Sequence, residues 1–173
     1  TGVQTCALPI FDDVSTVNAL LGSVARMVAA NPGREVLIGG YWPNELFGPK
    51  GPHKSLLDAI EPERPLILYD SWAHTVWANS AALERAGITR DTPDIVPGFA
   101  FYQKDTNGEP TGWITESAAS EFVNNFQAVN NTTEQVLVEY LEYFRSVGVT
   151  TILDAGNFGL DHEVYAAVQR LDQ

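Results

Sequence analysis

The stretch Leu66-Ile67-Leu68-Tyr69-Asp70-Ser71-Trp72-Ala73-His74-Thr75-Val76-Trp77-Ala78-Asn79-Ser80-Ala81-Ala82-Leu83 decides how the rest of the chain is read. Four apolar or aromatic residues follow Pro65, the pattern of a strand buried on both faces. A polar and aromatic turn comes next. Asn79 then has the chemistry of an N-cap for a helix that stops at Gly87. A strand, a turn and a helix in that order place Asp70 and His74 just past the strand's carboxyl end. In α/β sheets and barrels that edge is where ligands bind.

Working outward, the segment before this stretch predicts two more helices and one more strand. Val14, Val17, Leu20, Leu21, Val24, Met27 and Val28 recur at helical spacing behind the acidic pair Asp12 and Asp13, and Asn31-Pro32-Gly33 ends the pattern. Val36 to Ile38 reads as a short strand running into Gly39-Gly40-Tyr41-Trp42. A Gly/Pro-punctuated loop follows, then a short helix over Ser55 to Ile60. Helix, strand, helix, strand, helix is the order of parallel βα units.

Beyond Gly87 the rhythm changes. Phe99 to Tyr102 and Trp113 to Thr115 flank Asp105-Thr106-Asn107-Gly108-Glu109, and Asn107-Gly108 signals a type I′ turn, so the region of about 91–118 reads as an inserted β-hairpin. Thr132 with Gln135 makes a capping box for a helix carrying Val136, Leu137, Tyr140, Leu141, Phe144 and Val147 on one face and closed by Gly148. Val149 to Leu153 then reads as another buried strand, ending at Asp154. The strands at Val36–Ile38, Leu66–Tyr69 and Thr150–Leu153 are expected to be parallel neighbours.

The 173 residues, 45% hydrophobic, suffice for a domain with a real core. A net charge of −12 and a pI near 4.4 argue against nucleic acid and anionic membranes as partners and favour a small-molecule substrate. No apolar run approaches the roughly 18 residues of a membrane span. One cysteine, Cys6, makes no internal disulfide and fits a reducing, cytoplasmic compartment. Thr1 to Ile10 resembles the conceptual translation of a sequencing adaptor and is set aside as a non-native leader, leaving 11–173 as the native segment. Without that leader the compartment argument from Cys6 lapses. The absence of an initial Met and of a capping signal near Gln173 both read as marks of a fragment.

Four groups fall where such a sheet presents side chains to a ligand: the Tyr41-Trp42 loop, Asp70 with His74, Glu116 behind the hairpin, and Asp154. His74 can serve as metal ligand, general base or hydrogen-bond donor, or can simply satisfy nearby backbone groups. Glu116 can bind a metal or act as a base, or can complement a helix dipole. Trp72 and Trp77, which bracket His74, and Trp42 are candidate aromatic walls of a substrate pocket, although aromatic residues more often fill cores. HxH, HExxH, CxxC, P-loop and GxSxG patterns do not occur. No complete catalytic constellation is therefore visible.

Taken in order, Gly39-Gly40-Tyr41-Trp42, the Asp70-to-Leu83 stretch, Ala86-Gly87-Ile88, Asn107-to-Ala118 and Gly148-to-Asp154 resemble the amidohydrolase superfamily, specifically amidohydrolase family 3, the branch of N-substituted formamide deformylase. The resemblance implies an α/β fold that is part of a (β/α)8 TIM barrel, and a metal-dependent hydrolase that cleaves an amide-type C–N bond. It further implies a metal-activated water at Zn2+ or another divalent ion, most of whose ligands lie outside this segment. Glu116 matches a candidate metal-bridging carboxylate, and His74 a residue of the substrate pocket. Catalysis is thus assigned to Glu116 and His74, metal ligation to Glu116, and substrate binding to Trp42, Asp70, Trp72 and His74. The segment alone is expected to be inactive. The rival expectation is a non-catalytic α/β module that binds a small molecule. Because the hairpin should return the chain to the same rim, His74 and Glu116 are expected on one side of the sheet.

Overall fold

The computed structural model describes residues 14–126, 134–153 and 161–171. The chain divides into two compact units, 1–125 and 126–173. In the first, α1 (Val17–Ala30) starts at Thr16, whose hydroxyl accepts the Ala19 N–H at 3.2 Å. The expected acidic opening at Asp12 and Asp13 lies outside the described residues, as does the whole of 1–10. The buried stripe of α1, Leu20, Val24 and Met27, follows the helical period and faces the sheet core.

Five strands make one sheet in the order β1-β2-β3-β5-β4. These are β1 (Leu37–Trp42), β2 (Leu66–Asp70), β3 (Thr75–Ala78), β4 (Tyr102–Lys104) and β5 (Pro110–Thr115). β1 and β2 are parallel, as expected, with α2 (Ser55–Asp58) in the crossover between them. The remaining pairs are antiparallel. The sheet is therefore mixed, and the run of parallel βα units is interrupted where a turn was expected to lead straight into a helix. Thr75 to Ala78 instead form β3, because Val76 and Trp77 bury their side chains on opposite faces between β2 and β5.

Both faces of the sheet are covered. Leu66, Leu68 and Trp77 join the α1 stripe, Leu57 and Trp42 on one side. Helix α4 (Glu116–Asn124), with Ala118, Ala119, Phe122 and Val123 buried, lies against β3 and β5. Trp42, Phe47 and Trp77 pack edge to face, with centroids 5.2–6.3 Å apart.

Asn79 caps α3 (Ser80–Arg85) as its sequence position suggests, and does more. Its Oδ1 accepts the N–H of Ala82 and of Leu66, while its Nδ2 donates to the Glu61 and Arg64 carbonyls. One buried amide thus ties the loop before β2 to the helix after β3. The helix ends in a Schellman motif: Gly87, at φ 69°, donates to Glu84, and Ile88 donates to Leu83.

The β4–β5 hairpin is present, but it is the edge of the main sheet. Its turn is not type I′. Asn107 has no positive φ, Gly108 does at 83°, and the Gly108 N–H donates to the Asp105 carbonyl. This is a type I turn closed by a left-handed glycine, with the Asp105 carboxylate accepting the Asn107 and Glu109 N–H groups.

In the second unit α5 (Glu134–Ser146) and α6 (Asp161–Leu171) contact one another. Gly148 and Val149 close α5 in a second Schellman motif on Arg145 and Phe144; Thr132 of the expected capping box lies outside the described residues. The strand expected over Val149–Leu153 is not formed. Those residues are irregular and Leu153 is largely exposed. An apolar run becomes a strand only beside a strand that can take its backbone hydrogen bonds. Among the described residues of this unit there is none.

Candidate active site at the rim of the sheet

The carboxyl ends of β1, β2 and β5 and the amino end of β3 share one rim. Asp70 organises it. The residue is wholly buried; Oδ1 accepts the N–H of His74 at 2.9 Å and of Thr75 at 3.1 Å, and Oδ2 accepts the Asn44 amide at 2.7 Å. Burying a carboxylate is costly unless its lone pairs are met, and three donors meet them here. The result is a tight β2–β3 turn, in which the Ala73 N–H donates to the Asp70 carbonyl and Ala73 sits in the left-handed region at φ 56°.

β3 then runs back beside β5, with Thr75 opposite Thr115. His74 precedes the one and Glu116 follows the other, so a separation of 42 positions closes to contact. The Glu116 N–H donates to the His74 carbonyl at 2.7 Å, and His74 Nδ1 stands 3.1 Å from Oε2 and 3.3 Å from Oε1 of Glu116. The His74 side chain is 65% exposed and that of Glu116 31%. Glu116 is also left-handed, at φ 53°, a conformation that costs a non-glycine residue about 1–2 kcal/mol. Thr115 leaves the start of α4 without a side-chain cap, because its hydroxyl donates to the Phe99 carbonyl and accepts the Phe101 N–H. Glu116, first residue of α4, places its negative charge at that positive helix end while it holds His74.

The structure thus brings His74 and Glu116 together and treats the other candidates differently. Trp72, in the β2–β3 turn, is 70% exposed. Trp42 and Trp77 are buried in the core cluster, and the Trp42 indole N–H donates to the Leu68 carbonyl, so both rings belong to the core and not to a pocket wall. Asp70 acts on backbone and on Asn44. Asp154 lies outside the described residues. Asn44, Thr75 and Thr115, which shape the rim, carried no signal in the sequence. Each acts through partners distant along the chain.

A catalytic zinc takes about three protein ligands and leaves one position open. Among the described residues no group of three or more His, Cys, Asp or Glu could hold a metal ion. His74 and Glu116 are two donors, and Nδ1 of the first already faces the second. The described residues do not assemble a metal centre on their own.

The sequence profile described as the Amidohydrolase family matches residues 4–173, a range that enters the stretch set aside as a leader. The chain belongs to that family. It is 34% identical over 167 residues to the exoenzymes regulatory protein AepA of Pectobacterium carotovorum subsp. carotovorum, covering 94% of this chain and 35% of AepA. It is 31% identical over 121 residues to the N-substituted formamide deformylase of Arthrobacter pascens, covering 67% of this chain and 22% of that enzyme. The crystal structure of an uncharacterized metal-dependent hydrolase from Pyrococcus horikoshii shares the fold at a TM-score of 0.53 and 20% identity, over 94% of this chain and 30% of that one. The chain spans about a third or less of the length of each of these proteins. No helix among the described residues is long and apolar enough to cross a membrane.

Proposed function

We propose that this chain is the part of a metal-dependent hydrolase that contributes one carboxylate and its histidine partner to a site cleaving an amide-type C–N bond. The observation that carries the reading is the contact of His74 with Glu116 at the rim, both residues lying in the family-like stretches. The name of the Arthrobacter relative supports the bond type. On this reading Glu116 is a ligand for zinc or another divalent ion, whose remaining ligands lie outside the described residues. A small-molecule substrate meets Trp72, and Asp70 and Trp42 hold the frame. The parallel β1–α2–β2 unit belongs on this reading to a (β/α)8 barrel in the longer protein.

The described residues supply too few ligands for a catalytic metal, so their assigned part ends at the carboxylate and the imidazole beside it. The test is a calorimetric zinc titration together with an amidase assay, on the 173-residue chain and on a longer reading frame that carries it. The chain alone is expected to bind zinc no better than an ordinary acidic surface and to be inactive, while the longer form binds and hydrolyses. Stoichiometric submicromolar zinc binding by the chain alone, lost in Glu116→Ala, refutes the ligand count. A longer form that binds small molecules without hydrolysing any amide favours a binding module instead.

A further inference from the structure

From the geometry we infer that His74 is a positioning residue for Glu116: its Nδ1–H holds the carboxylate. The inference rests on the reading of Glu116 as the metal-ligating carboxylate and deepens it. An ionised carboxylate only accepts hydrogen bonds, so with both its oxygens 3.1–3.3 Å from Nδ1 that nitrogen must carry the proton. In the neutral ring Nε2 is then the unprotonated nitrogen. The backbone that carries the imidazole is itself held from behind. The His74 N–H is bound by Asp70, Asp70 is bound by Asn44, and the His74 carbonyl accepts the Glu116 N–H. A chain of contacts from Asn44 through Asp70 and His74 therefore ends on the Glu116 side chain, whose backbone is already fixed in the left-handed region. Both carboxylate oxygens keep lone pairs for another ligand, because one N–H shared between them occupies only part of their capacity.

Two predictions test whether His74 holds Glu116 through Nδ1. Asparagine places its amide nitrogen near the Nδ1 position, and glutamine places its own near Nε2. If His74 works through Nδ1, His74→Asn keeps the Glu116 contact and His74→Gln does not. The experiment is NMR on the 173-residue chain at a pH where the ring is neutral, reading the ring 15N shifts of His74 and the side-chain carboxyl 13C shift of Glu116. The expected result is a protonated Nδ1 and an unprotonated Nε2 in the parent chain, with the two nitrogen resonances exchanging places in Glu116→Ala. The Glu116 carboxyl signal should move in His74→Ala and His74→Gln and return to the parent position in His74→Asn. His74 is largely exposed and its backbone contacts survive these substitutions, so an unchanged amide spectrum elsewhere verifies the fold. A protonated Nε2 in the parent, a Glu116 signal indifferent to His74, or rescue by Gln and not Asn overturns the inference. Because no metal or substrate enters the measurement, its failure leaves the hydrolase reading standing, and failure of the amidase assay leaves this result standing.

Discussion

Replacing Asn79 by alanine is the sharpest test of how the first unit is held together. The residue is wholly buried, and its side chain makes four hydrogen bonds: from Leu66 N at 3.0 Å and Ala82 N at 2.9 Å, and to the Glu61 and Arg64 carbonyls at 2.7 and 2.8 Å. Loss of an N-cap to alanine costs about 0.5–2 kcal/mol. The Leu66 N–H opens a central strand, and a buried donor left without a partner costs a further 1–3 kcal/mol or so. The two carbonyls lose a partner each but keep other lone-pair capacity, which adds less. Asn79→Ala should therefore destabilise by about 3 kcal/mol, a large part of the roughly 5–15 kcal/mol typical of a domain. Asn79→Ser, which restores the cap alone, should recover about 1 kcal/mol of it. The assay is urea unfolding followed by tryptophan fluorescence, since Trp42 and Trp77 are buried beside this loop's strand, with Asn107→Ala in the exposed turn as a control expected within about 0.5 kcal/mol of the parent. A loss below about 1 kcal/mol at unchanged m refutes the reasoning, because it means that water replaces the amide at little cost.

Three further outcomes follow from the same geometry. Asp70→Asn turns one carboxylate oxygen into a donor facing the Asn44 amide, so it should cost about 1–3 kcal/mol, and Asn44→Asp in the same chain should restore part of it; denaturation of the single and double variants checks this. Gly112→Ala should destabilise by about 3 kcal/mol in the same assay, since Gly112 has φ 93° and an added methyl overlaps the Ala78 carbonyl across the sheet. Burial works to raise the Glu61 pKa, but the Arg64 and Glu63 N–H groups and the Arg64 guanidinium outweigh it and hold the carboxyl below its ordinary value. A depressed folded-state pKa gives stability that is present above about pH 4.3, the unfolded value, and is lost as pH falls through the folded one. Stability curves from pH 7 to pH 3 should therefore lose part of their acid slope in Glu61→Gln.

The features legible in the sequence are those whose causes lie within a few residues. The face of α1, the caps of α3 at Asn79 and Gly87, the β4–β5 hairpin and the Gly148 close of α5 all depend on local spacing and turn chemistry. Asp70, His74 and Glu116 could likewise be placed near strand ends from the pattern alone. That β3 exists was decided by tertiary structure, because four residues between a turn and a cap have no period of their own and become a strand only when β2 and β5 offer hydrogen bonds on both sides. The same dependence works in reverse at Val149–Leu153, where an apolar run without a neighbouring strand among the described residues stays irregular. The contact of His74 with Glu116 follows from the β3–β5 register, which sets Thr75 opposite Thr115. Residue types supply the chemistry of that pair, but only the pairing of distant strands, a long-range term that no local window contains, brings the imidazole to the carboxylate.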